Sequence, residues 1–212
     1  MTGQECLTKF ETMVDDVLDQ DFELQLLNDA KNQIEAEYTW EFLKAVDMTG
    51  SVVKGDKQTV THAFPGNMAF PLKVQMLTDR TPYSQVNFED QYMYQDVTRY
   101  WFANYANNVF SFTGVIGKND TILFFFQKYT DDLTLTTEWL FPERFHRILP
   151  MKMAELYYAV DAGEKMRAWD DRWGKNYDYT LQQMQLWDAK LKEQSKTQNI
   201  SDSSSNPLVA YG

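Results

Sequence analysis

From Phe141 to Leu191 the apolar residues recur every three or four positions. One series is Phe145, Ile148, Leu149, Met153, Leu156, Tyr157 and Val160, and a second is Met166, Trp169, Trp173, Tyr177, Leu181, Met184, Trp187 and Leu191. Such stepping marks one face of a helix, so it predicts two helices joined by a Gly-containing turn. Three tryptophans on the second face form an aromatic surface that needs a cover. At the other end of the chain, Leu7, Phe10, Val14 and Leu18 predict a helix over Glu5–Asp19. The next helix is expected to start at Asp21 as N-cap and to run to Val46. Phe22, Leu26, Leu27, Ala30, Ile34, Tyr38 and Phe42 form its inner face, and neither Gly nor Pro interrupts it.

After Gly50 the pattern changes to Val, Thr, Phe and Tyr broken by Gly, Asn, Asp and Pro. Gly55-Asp56 between Ser51–Val53 and Gln58–Ala63 predicts a hairpin. Further strands are expected at Pro71–Leu77, Ser84–Phe88, Tyr100–Tyr105, Val109–Thr113 and Thr121–Tyr129, with a short helix or strand at Phe88–Tyr94. The expected fold is α+β, mainly α. It is a bundle of two N-terminal and two C-terminal helices carrying a small inserted antiparallel β region. The implied divisions are residues 1–49 and 141–194 for the helices, 50–140 for the β-rich insertion and 195–212 for an extended tail. That tail is polar and Ser-rich as far as Asn206 and then turns apolar. An apolar tip after a polar spacer has the form of a docking peptide, so Pro207, Leu208, Val209, Ala210 and Tyr211 are candidate partner-binding residues.

Composition sets further limits. One cysteine, Cys6, allows no internal disulfide and fits a reducing compartment. No signal peptide is recognised at the start, and the longest apolar run, Ile122–Phe126, is too short to span a bilayer. A soluble chain made in the cytoplasm, with no membrane partner, is expected. The formal charge is −11, and residues 1–47 carry twelve acids against three bases. With no basic stripe, tight nucleic-acid binding is not expected.

No motif for catalysis stands out, so no enzyme activity, cofactor or metal is expected. His62 and His146 fall on different elements, and His146 reads as a packing residue at a helix start. Asp170 and Asp171, adjacent on a helix, point about 100° apart and read as surface ion-pair formers. Glu35, Glu37 and Glu41 read as a solvated face, and Asp131-Asp132 as a polar turn. Aromatic residues make up 15% of the chain. Tyr92, Tyr94, Tyr100 and Trp101 lie in short segments that a monomer would struggle to cover, which points to an assembly.

Several stretches resemble one known family, in order along most of the chain. They are Leu27–Glu35 leading to Trp40–Lys44, then Phe64-Pro65, Phe70–Lys73 and Tyr83–Asp90. Phe141-Pro142-Glu143-Arg144-Phe145-His146 follows, with Ala154–Asp161 and Trp169–Trp173 after it. In these the chain is similar to the adaptor proteins of tailed-bacteriophage head-to-tail connectors. The resemblance implies a virion structural protein at the capsid vertex, with twelve copies in a ring between portal and tail. It implies portal protein, a downstream tail protein and other copies of itself as partners. Genomic DNA would pass through the ring's channel without specific binding, past walls that are mainly acidic. Related connectors also imply that the tail tip contacts portal or a neighbouring subunit. The alternative is another tail structural protein, such as a tail-tube or tail-completion ring protein. A small enzyme or nucleic-acid-binding factor is a third class.

Overall fold

A computed structural model describes residues 1–159, 167 and 169–203, with side chains as far as residue 194. The chain divides into two compact units. One comprises Met1–Phe42 with the residues from Thr130 onward, and the other is Leu43–Tyr129.

In the first unit, α1 is Gly3–Val14 and α2 is Gln20–Ala36, while α3 is Ile148–Ala159 and α4 is Lys175–Ser203. Thr2 and Glu5 form a capping box on α1, and Asp19, not Asp21, caps α2 through the Asp21 and Phe22 N–H groups. Helix α2 stops ten residues short of the predicted Val46. Nothing in its propensities requires this; tertiary packing does. Trp40 folds back, donating its indole N–H to the Ile34 carbonyl at 3.2 Å and packing edge-on against Phe141 at 5.0 Å. Trp187 on α4 is half-buried and packs on Phe42, Phe141 and Phe145. Between α3 and α4, a π-helical turn at Asp170–Gly174 breaks the even stepping. It leaves Trp169 buried, with its indole N–H on the Met151 carbonyl, and Trp173 only half-buried.

One face of α2 is polar and buried. Asn28 exchanges two hydrogen bonds with the Leu133 backbone, at 2.7 and 3.1 Å. Lys31, fully buried, donates to the carbonyls of Thr130 at 2.6 Å and Asp131 at 3.1 Å and pairs with Asp132 at 3.7 Å. Glu35, expected on a solvated face, is also fully buried. It accepts from the Thr130 N–H at 2.9 Å, the Thr130 hydroxyl at 2.5 Å and the Trp139 indole at 2.8 Å. Glu37, part-exposed, pairs with Lys152 at 3.1 Å and accepts from the Tyr177 hydroxyl.

The second unit overturns the expected small antiparallel insertion in a helical bundle. It is an eight-stranded mixed sheet, and across the chain helix amounts to 45%, below the expected majority. The strands are β1 (Lys44–Asp47), β2 (Ser51–Val52), β3 (Thr61–Ala63), β4 (Met68–Met76), β5 (Pro82–Val86), β6 (Tyr100–Asn104), β7 (Val109–Phe112) and β8 (Asp120–Lys128). Their order is β1-β8-β4-β5-β6-β7-β3, with β2 also on β8. The predicted Gly55-Asp56 hairpin does not form, because β2 pairs with β8 and β3 with β7. Strands β5 and β6 are parallel.

The sheet curls into a half-barrel. Strands β8 and β7 stand four places apart, about 19 Å in a flat sheet. Yet Phe124 on β8 and Phe110 on β7 stack with ring centroids 4.8 Å apart. Phe64 and Trp101 join the same cluster with Val74, Ile122 and Phe126. The β4–β8 register slips at Met68/Phe70 and again at Pro71/Lys73. Bulges of this kind bend a sheet and accommodate a proline. His62, on β3, packs on Phe110 and Phe112, and burial pushes its pKa down against the opposing field of Asp56.

These contacts set the expected cost of three substitutions. Glu35→Ala leaves buried donors unpaired and is expected to cost about 3 kcal/mol or more, while Thr130→Val is expected to cost about 1 kcal/mol. Urea titration checks both, and an unchanged midpoint for Glu35→Ala would refute the anchoring role. Phe124→Ala is expected to cost about 3–5 kcal/mol. A loss below about 1 kcal/mol would mean that the curl does not depend on this ring.

Candidate functional site

The parallel β5–β6 pair requires a crossover, since parallel neighbours cannot be joined by a tight turn. Residues Asn87–Arg99 make it, starting with a 3-10 helix at Phe88–Met93 that buries none of its residues. Tyr92 is 71% and Met93 77% exposed, with Phe88 and Val97 also exposed. The segment is nonetheless tied down. The Thr113 hydroxyl donates to the Val97 carbonyl at 2.6 Å, and the Gly114 N–H to the Gln95 carbonyl at 3.0 Å. Gly114 has φ +70, and a Cβ there would stand 3.1 Å from the Val97 carbonyl, so glycine permits this approach. Phe88 leans on Phe102, and Tyr94 on Tyr100. An apolar surface held in place while uncovered makes this segment a candidate contact surface.

The end of the crossover, Thr98 and Arg99, helps to line a cavity of about 420 Å³. Val52, Met76 and Ile116 give it apolar walls, and Tyr83, Lys118 and Asp120 add polar groups. Burial, with Asp79 and Asp120 adding to it, pushes the Tyr83 phenol up, so it remains a hydrogen-bond donor. For Asp120, burial works against ionisation. Hydrogen bonds from Thr78 and Thr121 and the Lys118 ammonium at 3.5 Å outweigh it and hold the carboxyl below its usual value. Such a lining suits a small polar group or a partner's side chain.

A groove in the helical unit makes a second candidate surface. It measures about 720 Å³ and runs between the turn before α3 and one face of α4. Arg144, Arg147 and Lys190 line it together with Tyr179, Leu186 and Trp187, and no carboxylate is among its lining residues. Arg147 is held by the Thr180 hydroxyl at 3.2 Å, and Arg144 lies over the Phe145 ring at 4.7 Å.

No protein-family model matches the chain, and no curated protein matches it.

The structure distributes the residues singled out in the sequence unevenly. Pro207, Leu208, Val209, Ala210 and Tyr211 lie outside the described residues. Tyr92 is uncovered, whereas Trp101, expected beside it, is 1% exposed inside the half-barrel. His146 is buried, with Nε2 2.5 Å from the Phe141 carbonyl. Among the described residues no group of three or more His, Cys, Asp or Glu could hold a metal ion. No described helix is long and apolar enough to cross a membrane. Sequence reasoning missed the basic groove, because Arg144 and Arg147 are separated from Lys190 by more than forty positions. The one available signal was the cation content of residues 142–212, which offsets their acids.

The Asp120 site carries a pH prediction. A carboxylate depressed on folding adds stability above its unfolded pKa, and that stability is lost as pH falls through the folded value. Asp120→Asn is therefore expected to cost about 1–2 kcal/mol at pH 7. The cost should fade below the ordinary carboxylate range. Denaturant titrations across acid pH check this, and a loss independent of pH would remove the charge from the explanation.

Proposed function

We propose that this chain is a virion structural protein, an adaptor of the phage head-to-tail connector. Copies of it form a ring, twelve by family likeness, between portal and tail. The ring extends the DNA channel and presents a platform for the next tail component. The observation that carries the reading is the crossover Asn87–Arg99, which holds Phe88, Tyr92 and Met93 in place without covering them. A chain that invests backbone hydrogen bonds in presenting aromatic and Met side chains to solvent is built for contact with protein. The ordered run of residue motifs from Leu27 to Trp173 supplies the particular family. The curled sheet departs from the bundle that the resemblance implied, so the reading rests on the motifs and the surface. A formal charge of −11 suits a channel through which DNA passes without specific binding. The apolar tip Pro207–Tyr211 is assigned to portal or to a neighbouring subunit.

A second reading, a tail-tube or tail-completion ring protein, draws on the curled eight-stranded sheet. Binding to isolated portal rings separates the two, since an adaptor attaches to portal without tail proteins. Met93→Asp introduces a charge at an exposed position and should leave the melting temperature within about 1 °C of the parent. It is expected to reduce attachment to portal or tail by about tenfold or more. Pull-down on portal rings and on purified tails measures this. Parent protein that binds neither, at micromolar concentration, would overturn the connector reading.

A further inference from the structure

The groove beside α4 has a complement on the same unit. The turn joining α1 to α2, with the first turn of α2, presents Asp15, Asp16, Asp19 and Asp21, all exposed, and between Lys9 and Lys31 the chain has no base at all. Two apolar side chains project among these acids, Val17 at 81% and Phe22 at 47% exposure. The groove has the opposite character, with Arg144, Arg147 and Lys190 around exposed Tyr179 and Leu186 and no carboxylate in its lining.

Helix α3 fixes the two surfaces apart. The Tyr157 hydroxyl, near its C-terminal end, donates to Asp16 at 2.8 Å, while Arg144 and Arg147 immediately precede its first turn. Tyr157 lies nine steps along the helix from Ile148, roughly 14 Å along the axis. The turn and the groove of one molecule therefore lie toward opposite ends of the same helix.

We infer that the groove receives the α1–α2 turn of a second copy of this chain, with Phe22 and Val17 against Tyr179, Leu186 and Trp187 and the aspartates facing Arg144 and Lys190. Because the two surfaces differ, the contact is head-to-tail. Contacts of that kind propagate, and they close into a ring when the rotation between neighbours permits. The inference deepens the ring reading above and rests on it for closure, although the contact is testable by itself. The groove's cations give the opposing field that the acidic turn needs, and the match sets register as well as attraction.

The experiment uses full-length protein with single cysteines at Val17 and Leu186. Native Cys6 serves as a silent background, being buried with its thiol pushed up to about 12. Val17→Cys and Leu186→Cys chains are mixed at about 100 μM with a short bismaleimide. The mixture is expected to yield a cross-linked dimer that neither chain gives alone, and the doubly substituted chain is expected to yield a ladder. Arg144→Glu with Lys190→Glu should lower the yield about tenfold, as should Asp15→Lys with Asp21→Lys. Mixing the two reversed sets, each carrying one of the cysteines, should restore it. Equal cross-linking of Val17→Cys alone would indicate a symmetric contact and overturn the inference, as would no 17–186 product at all. A 17–186 product that forms only once residues 204–212 are deleted would make the tail the occupant in the full chain, and displacement by an oligonucleotide would make it nucleic acid; either result overturns the inference. A protein that binds portal without the 17–186 product keeps the connector reading and loses this contact. One that cross-links but binds neither portal nor tail does the reverse.

Discussion

Three polar side chains on one face of α2 hold the helical unit together. Asn28, Lys31 and Glu35 reach the backbone or side chains of Thr130, Asp131, Asp132, Leu133 and Trp139. A lysine and a glutamate with no solvent exposure would be costly if left unpaired. Here the Lys31 ammonium donates to two backbone carbonyls and pairs with Asp132, and the Glu35 carboxylate accepts from the Thr130 N–H and hydroxyl and from the Trp139 indole, so their desolvation is offset by directed interactions. Such bonds fix the returning chain at one register on α2, which greasy contacts alone would leave free to slide. Trp139 is thereby set beside Phe141, and Phe141 beside Trp40 and Phe42, so the aromatic cluster under α4 follows from the polar row.

The half-barrel solves a different problem. Strand β8 is apolar on both faces in its middle, with Ile122, Phe124 and Phe126 alternating with Leu123 and Phe125. Curling lets distant strands bury the first set together, and the two bulges along β4 supply the bend. The parallel β5–β6 pair then demands a crossover, and the curled interior is already filled. The crossover's apolar side chains are left outside, while its later part is pinned through the Gln95 and Val97 carbonyls to Gly114 and Thr113. The exposed surface behind the functional reading is in this sense a product of the topology.

Much was legible in the pattern of the chain. The helical stepping located α1, α3 and α4, and alternation with turn residues located β4 to β8 to within a few positions. The stripe on α2 was legible in its middle, with Leu26, Leu27, Ala30 and Ile34 buried as their spacing implied. Phe22, placed on the same inner face, is however 47% exposed, and Tyr38 and Phe42 lie beyond the end of the helix. Of the four aromatics read as hard to cover, Tyr92 is exposed, Tyr94 and Tyr100 are half-buried and Trp101 is buried.

What local pattern could not show was anything decided by partners distant in sequence. Glu35 reads as solvated because it is a carboxylate grouped with Glu37 and Glu41; its burial depends on Thr130 and Trp139, about a hundred residues on. The stretch after Ala36 has helix-compatible residues, but Trp40 gains more by packing on Phe141, and β1 by pairing with β8. Gly55-Asp56 has hairpin chemistry, yet β2 and β3 found other strands to pair with. Strand order, the curl and the basic groove belong to the same class. Periodicity reports which face of an element is apolar, since that is set within one or two turns of chain. Which element covers that face is a choice among many remote alternatives, and only the packed tertiary structure makes it.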